Sequence, residues 1–229
     1  MLQDMKRAAF DFDFTLFDAG TAARVTSASE TQQWNWRRSG YIPKHDGHAK
    51  YNIIDICELW VMAALSKRGV GPQVSRKYSR DCAKSAAWFA LYMRPAWAGN
   101  FDVLPQSSNT HDWQTQNIVQ ISESFGRQPP MQSPIIGKLS HGANIAIFGK
   151  DQTALPVHSF LRIWQDGEFD YTNHRDPLDF GEDELGALAI PLEKLGLVSV
   201  LPLKYAGQLI AHELGAPLVT LRKSDGVRK

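Results

Sequence analysis

Apolar residues along this chain fall into short groups at helical or strand spacing, separated by polar turns. From Asp18 to Val25, the small apolar residues Ala22, Ala23 and Val25 predict a short helix, with Asp18 placed to cap its free amides. The polar run Thr26-Ser27-Ala28-Ser29 breaks that helix. Ser29 can cap a second one over Glu30–Arg38, which stops at Gly40. Tyr41-Ile42-Pro43 reads as extended, and Asp46-Gly47 as a hairpin turn. Asn52 caps a long helix with an apolar stripe at Ile53, Ile56, Trp60, Ala63 and Ala64, ending near Gly69. Pro72 opens another helix expected to reach about Met93, with Cys82, Ala86, Phe89 and Ala90 on one side. Ahead of all these, Phe10, Phe12 and Phe14 alternate with aspartates in a strand or irregular arm.

The second half is less regular. Arg94 to about His141 is rich in Pro, Gln, Ser and Asn, apart from one expected helix around Trp113–Phe125. Ala143–Phe148 reads as a strand, and Phe160–Trp164 with Phe169–Thr172 as a hairpin about Asp166-Gly167. Leu178–Asp183 is acidic, Leu192–Leu203 is apolar and β-branched, Tyr205–Leu214 is helical, and Leu218–Leu221 is a last strand. The expected fold is α+β: a module over 1–94, a linker over 95–130, and a mixed α/β domain over 131–229.

Composition adds a boundary and an asymmetry. Of the 229 residues 43% are hydrophobic and 21% charged, which suits a chain able to bury real cores. No apolar run is long enough to span a bilayer, and Met1–Arg7 lacks the apolar core of a secretory signal. Cys57 and Cys82 show no paired metal spacing, so buried thiols in a reduced cytoplasm are expected. The net charge of +1 hides a basic front, with 14 Lys and Arg against 9 Asp and Glu over residues 1–95. The rest carries 11 against 15, so only the front half is suited to a polyanion.

Short helix, tight polar turn, second helix, hairpin and long helix are the outline of a winged helix-turn-helix, whose second helix enters the major groove. On that second helix Ser29, Thr31, Gln32 and Asn35 can meet DNA, Gln and Asn pairing best with adenine. Arg24, Arg37, Arg38, Lys44, His45, His48 and Lys50 would meet phosphates. Trp34 and Trp36 both read as core.

The stretch Phe17–Ser29, then Trp36, Gly40-Tyr41-Ile42-Pro43, Gly47–Asn52, Asp55 and Gly69, resembles the DNA-binding domain of the MerR family of transcriptional regulators. The resemblance covers about a quarter of the chain. It implies that Ala23 packs the first helix on the second, that Trp36 is core and that Arg24 touches the DNA backbone. Gln33 stands where that family has an apolar residue, and Ala49 where the wing usually has Arg. The expected function is sequence-specific binding of double-stranded DNA by a homodimer, with a small-molecule or protein effector on the second part. A DNA-binding accessory factor without a ligand, such as an excisionase or a segregation or replication protein, is the related alternative.

An enzymatic alternative lies further upstream. Ala8–Asp18 looks like the nucleophile strand of haloacid-dehalogenase-like phosphatases, with Asp11 as nucleophile, Asp13 as acid/base, and Mg²⁺ between them. Phe14 stands where that motif usually has Gly, and helix-turn-helix sequence follows where βα units are expected. His212-Glu213 lacks the second His of a zinc protease, and no glycine-rich phosphate loop is present, so no cofactor is expected.

Overall fold

A computed structural model describes residues 10–44, 49–99, 134–148, 157–164, 167–173, 177 and 198–223. Its first elements are β1 (Phe10–Phe14), β2 (Phe17–Asp18), α1 (Ala19–Thr26), α2 (Glu30–Arg38), β3 (Lys50–Tyr51) and α3 (Ile53–Ser66). Then come α4 (Pro72–Ser75), α5 (Ser79–Leu91), a 3₁₀ turn at Arg94–Ala96 and β4 (Trp97–Gly99). The later part holds α6 (Pro134–Phe148), β5 (Phe160–Ile163), β6 (Phe169–Thr172), β7 (Ser199–Pro202), α7 (Leu203–Glu213) and β8 (Val219–Lys223). The architecture is mixed α and β, as expected, with several small sheets.

Strand β8 ties the chain together. It lies between β1, antiparallel with Phe14 opposite Val219, and β4, parallel with Trp97 opposite Val219. Thr15 extends that join by donating its amide to the Leu218 carbonyl and its hydroxyl to the Pro217 carbonyl. A second sheet runs β6-β5-β7, all antiparallel, and β2 pairs with β3.

Helix α3 is the central support. Its sequence is apolar on nearly every side, so it must be covered on nearly every side. Ile53, Ile56, Leu59 and Met62 join a core that runs from Phe17 through Ala86 and Ile210 to Leu221. Val61 and Leu65 join a second core against Leu161, Ile163, Leu201 and Leu203 of the β5–β7 sheet. Helix α5 packs on both α3 and α7, and α1 rests on α2, α3 and α7.

Four differences from expectation follow from packing. The helix expected from Pro72 to Met93 is broken into α4 and α5, because Tyr78 at the break is inserted into the second core and almost fully buried. Ala143–Phe148 is the end of helix α6 rather than a strand. Short apolar runs do not distinguish the two, and the small Gly142 and Ala143 let the helix lie close to Phe12 and the main core. Within the expected linker, residues 95–99 complete the 3₁₀ turn, of which Ala96 is buried, and form β4, while the helix expected over 113–125 and the acidic stretch 178–183 lie outside the described residues. The expected boundary between residues 1–94 and 131–229 does not coincide with a gap in packing, since β8, α6 and α7 belong to the same core as α1–α3.

The hairpin at Phe160–Thr172 forms as predicted, with Gly167 at φ +86° accepting the turn. The other expected hairpin differs. Strand β3 pairs with β2, ahead of the first helix, and not with Tyr41–Pro43; the turn at 45–48 lies outside the described residues.

Candidate nucleic-acid interface

The helix-turn-helix pair is fixed by local polar bonds before any packing is counted. Asp18 accepts from the Thr21 amide at 2.7 Å, and that bond holds its carboxyl below the usual range. Helix α1 ends at Ser27, which takes a left-handed conformation at φ 60° that a glycine would adopt with less strain. Beside it, the Thr26 hydroxyl donates to the Ala22 carbonyl and accepts from the Ala28 amide. Ser29 and Gln32 then form a reciprocal capping box at the start of α2. The helix closes at Gly40, φ +71°, with the Tyr41 amide donating back to the Trp36 carbonyl.

Gln33 fills the position expected to be apolar. It is completely buried, and its amide nitrogen donates to the Ala28 carbonyl at 2.8 Å and the Ala19 carbonyl at 3.1 Å. Those bonds tie α2 to the turn and to the first residue of α1, so the angle between the helices is set by a polar lock as well as by packing. Each such bond is worth about 1 kcal/mol net. Trp36 is core as expected, at 6% exposure. Trp34 is not: 51% of it is exposed, one step round the helix from the buried Gln33. On α1 Ala22 is fully buried, while Ala23, to which the resemblance gives the packing role, is half-buried.

The outward face of α2 therefore carries Thr31, Trp34, Asn35 and Arg38, all exposed. These recur at three- and four-residue spacing and form one stripe. Ser29 and Gln32 are exposed too, but their side-chain oxygens are engaged in the capping box, which makes them supports for the helix start. Arg37 is half-buried, donates to the Gln33 carbonyl, and lies 5.7 Å from the Tyr51 ring centre. Arg38 lies 5.2 Å from the Trp34 ring centre. Lys44 and Lys50 are exposed, and His45 and His48 lie outside the described residues.

Arg24 is placed differently from the other cations. Its guanidinium donates to the carbonyls of Glu213 at 2.7 Å and Leu214 at 3.2 Å, satisfying the free end of α7. A residue expected to touch a DNA phosphate here binds the C-terminal part of its own chain. Sequence reasoning passed over Arg76, which lies 6.0 Å from the Tyr41 ring centre and adds a cation beside the end of α2. The signal was present, because residues 59–80 hold five Lys and Arg and no acid.

The upstream aspartates stand on an edge strand. Asp11 and Asp13 are exposed, and Asp13 pairs with Arg222 across to β8. Among the described residues no group of three or more His, Cys, Asp or Glu is placed to hold a metal ion. Among the same residues no helix is long and apolar enough to cross a membrane.

Comparison with protein-family models, with curated proteins and with solved structures found no match.

Proposed function

We propose that this chain binds double-stranded DNA through α2, acting in the cytoplasm as a sequence-specific, MerR-like transcriptional regulator. The observation that carries this reading is the outward stripe Thr31, Trp34, Asn35 and Arg38 on a short helix capped at both ends and locked by Gln33. Such a helix presents base-reading groups without ordering itself at the moment of contact, which reduces the entropic cost of binding. Asn35 offers the donor and acceptor pair that matches adenine, and Thr31 can donate or accept. Arg38, Lys44 and Lys50 are exposed cations, and they supply attraction to phosphate that is independent of sequence. Glu30, the acid nearest the stripe, stands in the first turn of α2, where it complements the helix dipole.

The test separates reading from attraction. Asn35→Ala should weaken binding to a preferred duplex by about 1–3 kcal/mol and leave binding to random duplexes nearly unchanged. Equal loss on every sequence would show that α2 does not read bases.

A further inference from the structure

Trp34 is the apolar exception on an otherwise polar stripe. Half of it is exposed, and the guanidinium carbon of Arg38 stands 5.2 Å from its ring centre. That distance is within cation–π range, so Arg38 steadies the indole against the helix while leaving the rest of the ring open. Its neighbours three and four residues away on the helix are Glu30, Thr31, Arg37 and Arg38, so two cations stand there against one acid, and Lys44 and Lys50 are exposed further along the chain. A polyanion complements such a surface better than an apolar protein groove does.

We propose that Trp34 is a specificity-determining residue for duplex DNA, packing its ring against the C5-methyl group of a thymine in the major groove. This rests on the DNA-binding reading above. Base edges in that groove present donors and acceptors, and the thymine methyl is the one apolar group among them. The face of an indole pressed on any other edge would strip water from polar atoms and return no hydrogen bond, since its one N–H lies in the plane of the ring. Against a methyl group the ring removes apolar surface from water on both sides. Asn35 follows directly on the same stripe and matches adenine. The preferred site therefore places a thymine within a base step or two of the adenine that Asn35 contacts. 5-Methylcytosine, carrying the same methyl group, substitutes for that thymine at the contact with Trp34.

The experiment uses the full 229-residue chain and a random-sequence pool of duplex DNA. Retained duplexes are resynthesised with deoxyuridine in place of thymidine, which deletes only the methyl groups. The wild-type chain should bind the uracil duplex about fourfold more weakly for each thymine contacted, since a buried methyl-sized group contributes ~0.8 kcal/mol. Trp34→Ala should bind the two duplexes equally, and Trp34→Phe should keep part of the difference. Thermal unfolding checks that each variant is folded, and Trp34→Gln makes the same comparison should the alanine variant be unstable. Equal binding of both duplexes by the wild type, or a preference that survives Trp34→Ala, overturns the assignment of Trp34 and leaves DNA binding standing. Retention of no duplex at any salt concentration overturns both.

Discussion

Adding one methyl group at Gly207 tests the packing that joins the two ends of the chain. Gly207 lies on α7 where it crosses α5, and a Cβ there would stand 2.1 Å from the Ala86 carbonyl oxygen and 2.8 Å from the Ala90 nitrogen. Both are backbone atoms, so no rotamer change relieves the contact. Carbon and oxygen normally approach no closer than about 3.3 Å, so the helices must separate by on the order of 1 Å. Separation loosens Ala86, Ala90, Ala206 and Ile210, which are fully buried along this crossing. Two effects oppose each other in Gly207→Ala. Alanine is the better helix former by about 1 kcal/mol. Overpacking a tight core costs about 1–3 kcal/mol, and the upper end applies where backbone meets backbone. The net expectation is a loss of about 2 kcal/mol, lowering the unfolding temperature by about 4–8 °C for a chain of this length. Urea unfolding of the two proteins side by side measures the difference directly. A variant equal to or more stable than the wild type would show that α5 and α7 do not meet this closely.

Two further outcomes follow from the same core. Glu58 is buried beside Asp55, with Arg80 donating to both carboxylates at 2.8 Å and the Ser79 hydroxyl at 3.1 Å from Glu58. Burial pushes the Glu58 carboxyl above the ordinary value of 4.5, in spite of the Arg80 guanidinium. Its ionised form is thus disfavoured in the fold, so its contribution to stability is fullest below that value and declines as pH rises through the folded one. Glu58→Gln should remove this decline, and a pH series of urea midpoints identical for the two proteins would refute it. A fragment of residues 1–95 should fail to fold cooperatively, because it leaves β1 without β8 and uncovers the faces of α1, α3 and α5 that meet α7. A sharp unfolding transition in that fragment would contradict this dependence on β8 and α7.

The local chemistry of the helix-turn-helix was legible in the sequence because short-range bonds determine it. Asp18, Ser29 and Asn52 cap the helices expected of them, and Gly40 and Gly69 take the left-handed conformation that ends a helix. The short β strands near Phe160 and Val219 were legible for the same kind of reason, alternation and turn residues. What local pattern does not carry is which elements meet. Nothing near Phe10–Phe14 announces a partner strand more than 200 residues away, and nothing in α1 announces that Arg24 will bind the end of α7. Ala143–Phe148 was misread because apolar runs of that length suit a strand and a buried helix equally. Of the residues expected to meet DNA, Thr31, Asn35, Arg38, Lys44 and Lys50 are exposed, while Arg37 is half-buried, Arg24 binds the end of α7 and Gln32 is half of a capping box. Trp34 was misread as core because aromatic residues usually are; its place beside Gln33 on the helix was the available signal, since only one of the two could face inward.

The most direct test of the account is the affinity of the full chain for duplex DNA measured across a range of salt concentrations. Exposed cations that meet phosphates release counterions, so the logarithm of the affinity should fall linearly with the logarithm of salt, by about 0.9 for each phosphate neutralised. Combining Arg38→Ala, Lys44→Ala and Lys50→Ala should flatten that slope by up to about 3 units while leaving thermal unfolding nearly unchanged, because all three side chains are exposed. Binding that ignores salt, or a triple variant with the wild-type slope, would contradict DNA binding through α2 and its neighbouring cations.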